Sequence, residues 1–92
     1  MYLEIVSPEA TLFQGEVNAV SVPGVQGSFQ VLNNHAAIVS SLTVGEAKIE
    51  GNIDVADAFK SLFTKKGNDT ILTLSNGGTF EMSKNKAILF VD

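Results

Sequence analysis

The 92-residue sequence has no cysteine, no tryptophan and no arginine, and only one histidine, one tyrosine and two prolines. Without cysteine there can be neither a disulfide framework nor a thiolate metal site. Six basic residues, all lysine, face ten carboxylates, for a net charge of −4. The clustered positive charge that nucleic acid or anionic lipid requires is therefore missing. No apolar run is long enough to cross a bilayer as a helix. Glu4 falls where a signal peptide would need its apolar core, so no secretory signal is expected. What remains is 45% apolar and 17% charged residues, the balance of a globular domain rather than a disordered chain. At this length one domain is expected, residues 1–92, burying about 64% of the surface of its unfolded chain.

The first half reads as short strands. Leu3 and Ile5 alternate with Glu4 until Ser7-Pro8, since proline disfavours a continuing paired strand. Thr11 to Gln14 is a second run, closed by Gly15. Val17 to Val22, apolar on both faces, predicts a central strand stopped by Pro23-Gly24. Phe29 and Val31 alternate with Ser28 and Gln30, and Asn33-Asn34 makes a turn before Ala36 to Leu42. Ala47 and Ile49 alternate with Glu46, Lys48 and Glu50 as a half-buried strand. Turn signals every 8 to 12 residues or so are the rhythm of a sandwich or barrel.

The middle departs from that rhythm. Val55, Ala58, Phe59, Leu62 and Phe63 form one stripe of helical period, with Asp54 as N-cap, Lys65 and Lys66 in the last turn and Gly67 at the left-handed stop. The spacing predicts one short inserted helix over about residues 54–66. Strands then resume. Ile71 to Leu74 and the alternating run through Phe80 and Met82 flank Asn76-Gly77-Gly78 and read as a hairpin. Ala87 to Val91 follows, apolar on both faces, and is either central or covered by another chain.

No constellation for catalysis emerges. Ser40, His35 and Asp54 can be assembled into a triad on paper, but no nucleophile elbow supports it. The lone His35 cannot ligate a metal without carboxylates that no spacing motif supplies. Pro23-Gly24-Val25-Gln26-Gly27 lacks the lysine and following helix of a phosphate cradle and reads as a hairpin connection with an exposed apolar tip, Val25. No cofactor or metal is expected. Periodicity and composition stop at a small β-rich binding or interaction module.

The order of its segments carries further. Leu3 to Glu9 (Leu-Glu-Ile-Val-Ser-Pro-Glu), Leu12 to Val17, Val20 to Gly24, Gly27 to Leu32, His35 to Val39 and Gly45 with Ala47 to Ile49 follow one another in a distinctive register. Leu74-Ser75, Gly77-Gly78 and Glu81 continue it. In this the chain resembles the N-terminal domain of the epsilon subunit of F-type ATP synthase, called delta in mitochondria. The resemblance implies a mainly β fold, a sandwich of about ten strands, in a non-catalytic subunit of the rotor. Its partners there are the gamma shaft and the membrane c-ring, within the alpha/beta/gamma/delta/epsilon complex. The implied place is the cytoplasmic face of a bacterial cell membrane, peripheral and held through the complex. On the same footing Gln26, Gly27 and Ser28 match the loop facing the c-ring, although the family often carries acidic residues there. Ser7, His35 and Ser40 match the face turned to gamma. The family's usual C-terminal pair of helices has no counterpart, so self-inhibition or ATP binding by that pair is not expected. The interval from Ile49 to Leu74 is longer than the family's hairpin, and the expected helix fills it, packed over one edge or open face. The competing reading is a stand-alone sandwich that binds a small ligand or carbohydrate, for which the sequence offers little aromatic material.

Overall fold

A computed structural model describes residues 1–92. Ten strands run in chain order: β1 (Tyr2–Val6), β2 (Thr11–Glu16), β3 (Ala19–Gly24), β4 (Gly27–Leu32), β5 (Ile38–Leu42), β6 (Gly45–Glu50), β7 (Phe63–Lys66), β8 (Asp69–Leu74), β9 (Gly78–Ser83) and β10 (Lys86–Val91). They form one continuous path, β2-β1-β10-β9-β5-β3-β6-β8-β7, with β4 added on β3. The path folds over at the point where Gly24 of β3 meets Leu42 of β5. One layer is thus β2-β1-β10-β9-β5 and the other β4-β3-β6-β8-β7, as the expected sandwich requires.

The core lies between the layers because alternate residues of each strand point inward. Leu3 and Ile5 of β1, Phe80 and Met82 of β9, and Ala87 and Leu89 of β10 come from one layer. Val20, Val22, Val31, Ala47, Ile49, Leu72 and Leu74 come from the other. The expected half-buried strand is present: Ala47 and Ile49 are fully buried while Glu46, Lys48 and Glu50 are exposed. The last strand resolves to the central alternative, since β10 pairs with β1 in parallel and with β9 antiparallel. The hairpin between β9 and β10 turns through Lys84 and Asn85, both at positive φ (52° and 60°), the backbone that fits the twist of paired strands.

Four local expectations are corrected. The expected inserted helix is present, but as a short 3-10 helix over Asp57–Leu62 rather than an α-helix over about 54–66. Residues 51–56 carry no regular structure, only Asp57–Leu62 coil, as a single 3-10 segment preceded by Ala56 rather than Asp54 at the cap, and Phe63 already opens β7. The apolar stripe is divided between these pieces. Val55 and the neighbouring Ile53 are buried, Phe59 and Phe63 are half-buried against the core, and Leu62 is exposed. Gly67 does adopt φ +63°, but in the two-residue turn that joins β7 to β8. Second, β8 and β9 do not pair: β8 lies between β6 and β7, β9 between β5 and β10, and Gly77-Gly78 carries the chain from one layer to the other. Third, Pro23 does not stop β3, which continues to Gly24 at the fold corner. There the proline's missing N–H costs nothing, and its carbonyl accepts from Thr43 N at 2.9 Å. Fourth, Gly15 does not close β2, which runs on to Glu16 with Gly15 under the Phe13 ring.

The inserted segment is thus a cover over the inner face of β7 and β8 rather than a free-standing helix. Phe59→Ala, which removes a half-buried ring, is expected to lower unfolding stability by about 1–2 kcal/mol in urea denaturation. An unchanged midpoint would show that the segment does not pack.

Candidate functional site

The residues singled out in the sequence occupy three places. Gln26 and Val25 are the two-residue turn between β3 and β4, with Gly24 paired to Gly27 and Pro23 to Ser28. Gly27 sits at φ +129°, open to space, so only a glycine enters β4 there without strain. The turn is held against β5 by Val25 N donating to Ser41 O at 3.0 Å. Between turn and strand lies an open cleft of about 530 Å³ that includes Gln26, Gly27, Phe29, Val39 and Ser40. The structure therefore brings Ser40 to the turn carrying Gln26 and Gly27. Its hydroxyl donates locally, to Ser41 O at 3.3 Å.

His35 stands elsewhere, in the exposed link between β4 and β5. Its Nδ1 lies 2.7 Å from Ala36 O, and the neighbouring Asn34 N donates to Asn85 Oδ1 at 2.7 Å. The same link is tied down by Asn33, whose Oδ1 accepts from the Met1 amine, a group that also donates to Val17 O at 3.1 Å. Asn85, which Asn34 bonds, precedes Lys86, the partner of Tyr2, whereas Ser7 follows Val6, the partner of Phe90, so Ser7 lies at the opposite end of β1. Four strand steps between them span about 13 Å. Ser7 Oγ closes its turn, accepting from Ala10 N at 3.2 Å and donating to Ala10 O at 3.1 Å. Ser7, His35 and Ser40 are consequently not one cluster. Nor do Ser40, His35 and Asp54 form a triad: the hydroxyl and the imidazole each bond to backbone carbonyls one residue away. No three acidic or histidine side chains gather as metal ligands would.

The second apolar face of β10, noted in the sequence, lies on the outward side of the β2-β1-β10-β9-β5 layer. Register puts Val6, Phe90 and Thr79 in one outward row, and Glu4, Ile88, Glu81 and Val39 in the next. Val39 is 74% exposed, and Val6, Ile88 and Phe90 are half-buried. An apolar stripe thus runs along the middle of a face otherwise edged with polar pairs. Lys86 Nζ lies 3.8 Å from Glu4 and 5.8 Å from the Tyr2 ring centre, and Gln14 Nε2 donates to Glu4 at 3.2 Å. The outward side of the other layer carries Glu50, Lys48, Thr64, Lys66 and Gln30 and has no such stripe. The signal was in the sequence: β10 is apolar at every position from Ala87 to Val91, and only one set of those side chains enters the core.

A polar face, an apolar face and one exposed turn give the fold several distinct contact surfaces. Comparison with known proteins decides to which family the fold belongs. The family described as "ATP synthase, Delta/Epsilon chain, beta-sandwich domain" matches residues 1–92. The chain belongs to that family. It is similar to the ATP synthase epsilon chain of Chlorobaculum tepidum, 36% identical over 90 residues, covering 98% of this chain and 86% of that one. Similarity extends to the ATP synthase epsilon chain of Salinibacter ruber, 30% identical over 98% of this chain but 56% of that one. Among solved structures, the Tetrahymena thermophila mitochondrial ATP synthase central stalk and c-ring contains a chain of the same fold. Its TM-score is 0.71 at 15% identity, covering 98% of this chain and 61% of that one. Family membership and sandwich fold agree with the resemblance carried by the sequence.

Proposed function

We propose that the chain is a non-catalytic rotor subunit of an F-type ATP synthase, joining the gamma shaft to the membrane c-ring so that ion-driven rotation reaches the catalytic head. The observation that carries this reading is the family match over the whole of residues 1–92. The physical arrangement supports it. A part that transmits torque needs a stiff body, and here two hydrogen-bonded layers close on one core of buried side chains. It also needs separate surfaces for separate partners. The stripe of Val6, Ile88, Phe90 and Val39 is the surface suited to an apolar partner such as the shaft, with Ser7 at its margin. The turn of Gln26, Gly27 and Ser28 projects from the fold corner and suits polar loops of the ring. Those side chains are neutral, so contact there rests on hydrogen bonds of about 1 kcal/mol each rather than ion pairs. On this reading the subunit sits at the cytoplasmic face of a bacterial membrane, peripheral and held by its partners. No helix in it is long and apolar enough to cross a bilayer.

The test is affinity capture of tagged protein from detergent-solubilised membranes of the source cell, with partners identified by mass. Recovery of gamma and c subunits is the expected result. Recovery of neither, with the synthase intact, would overturn the reading. Val39→Lys locates the face. Val39 is exposed, so unfolding stability is expected to stay within about 0.5 kcal/mol. Recovery of gamma is expected to fall about tenfold, the equivalent of 1.4 kcal/mol. Undiminished recovery would move the shaft contact to another face.

A further inference from the structure

No aspartate, glutamate, lysine or arginine occurs between Glu16 and Glu46. That uncharged stretch builds β3, β4 and β5. It holds Val25, Leu32, Val39 and Val44, four of the five large apolar side chains that stand exposed. Within it, β4 pairs with β3 and with nothing else, so it is a sheet edge. Sheet edges invite pairing with another chain, and proteins guard them with charge, proline or irregular register. The β2 edge carries Glu16 and a register shift against β1, and the β7 edge carries Lys65 and Lys66. β5 is tied to β3 at Leu42 and to the Val25 turn at Ser41. Along Gly27–Leu32, β4 has none of these guards.

The main chain of this edge is free to bond. Pro23 O accepts from Thr43 N, so Pro23 turns its main chain away from β4, and its partner Ser28 turns away from β3. Alternation along antiparallel strands then places Gln30 and Leu32, opposite Ser21 and Ala19, on the same free side as Ser28. Of their N–H and C=O groups only Leu32 O has a main-chain partner, His35 N at 3.2 Å. Ser28, Gln30 and Leu32 are exposed, whereas Val31 is buried and Phe29 half-buried against the core. The segment is also complementary to itself. Set antiparallel on a second copy with Gln30 opposite Gln30, it brings Ser28 opposite Leu32 and Phe29 opposite Val31, which keeps each inward residue inward. In that register the two Gln30 residues exchange both main-chain bonds, and Ser28 and Leu32 bond on either side. Two molecules of net charge −4 repel each other, and least where their charge-free stretches meet. We propose that the free chain pairs with a second copy of itself through β4, forming a symmetric dimer in which the two β4-β3-β6-β8-β7 layers become one sheet. The proposal concerns the chain outside any complex and does not rest on the rotor reading.

The test is sedimentation velocity of the full chain from low micromolar to about 1 mM, with amide hydrogen exchange measured at both ends of that range. One short strand edge gives a small interface, so a reversible dimer with a dissociation constant of about 0.1 mM is expected. At the high concentration the amides of Gln30 and Leu32 are expected to gain protection, while those of Phe29 and Val31, already bonded to β3, change little. Gln30→Lys sets like charges directly opposite each other across the two-fold. It is expected to weaken the dimer about tenfold or more, with the urea midpoint unchanged because the side chain is exposed. Thr64→Lys on the β7 edge and Val39→Lys on the apolar stripe are expected to leave the dimer intact. The proposal is overturned if the chain stays monomeric to about 1 mM, if exchange at Gln30 does not depend on concentration, or if Gln30→Lys dimerises like the parent. A dimer dissolved by Val39→Lys and not by Gln30→Lys overturns it too, by moving self-association to the stripe.

Discussion

Replacing Phe80 by alanine is expected to bring the protein to the edge of folding. Phe80 is fully buried at the centre of β9, with Leu89 of β10 on one side and Ser40 of β5 on the other. Its ring meets Phe29 of the opposite layer edge-on, with centres 6.2 Å apart at 74°. It therefore joins the two layers close to where the path folds over. Truncation removes the transfer energy of the ring and leaves a cavity, together about 3–5 kcal/mol. The whole stability of a small domain is about 5–15 kcal/mol. At about 4–8 °C per kcal/mol, the melting temperature falls by about 15 °C or more. Thermal and urea unfolding measure this directly. A loss below about 1 kcal/mol would mean that β9 does not cross the core as described. Phe29 also borders the Gln26 turn, so the same variant is expected to loosen that turn.

Gly78→Ala is expected to be as severe for a different reason. A β-carbon on Gly78 would lie 2.0 Å from Phe90 O, a backbone atom of the neighbouring central strand. The pairing partner on the other side is Leu42 of β5, so neither neighbour can retreat without breaking the sheet. The adjoining Gly77, at φ +72°, has Leu42 O 2.4 Å from its own would-be β-carbon. A steric conflict with main chain on a central strand belongs to the exceptional tail of point substitutions, about 4 kcal/mol or more. Gly67→Ala is the comparator. It has φ +63° but nothing within 4 Å, so only conformational strain applies, about 1 kcal/mol. Soluble yield and the urea midpoint of both variants check the contrast. Equal behaviour of the two would refute the close approach at the layer crossing.

These two positions also mark how far the sequence could be read. Phe80 and Met82 alternate with polar residues, and that period of two carries both the strand and its buried face, as Ala47 and Ile49 do in β6. Such signals are local and survive into the structure. The pairing of β9 is not local. Asn76-Gly77-Gly78 between two apolar runs has the chemistry of a hairpin, yet it serves a crossing between layers, because both runs have one inward face and either partner satisfies it. The stretch from Val55 to Phe63 failed in another way. Apolar residues three and four apart fit an α-helix, but the same spacing arises where an irregular stretch, a short 3-10 helix and the start of a strand lie on one surface. The pairing of Phe63 with Leu72 decided the outcome. Of the candidate site residues, Gln26 and Gly27 were legible from turn chemistry. That both faces of β10 are apolar was legible as well, but not the stripe itself, because which side of β10 faces outward and what lies beside it depend on β1 and β9 taking their places.

The parallel pairing of β1 with β10 reaches into how this protein comes to exist at all. Leu3 opposes Ala87, 84 positions further along the chain, so the middle of a layer closes only when distant segments meet. Closing such a long loop is entropically unfavourable until the contacts form, which places the fold among slow β topologies. During synthesis β1 and β2 therefore wait as an incomplete pair, with Leu3 and Ile5 uncovered, until β10 has been made. Glu4, Glu9 and Glu16 lie along this hairpin, and charges of one sign on an open edge disfavour pairing with another chain.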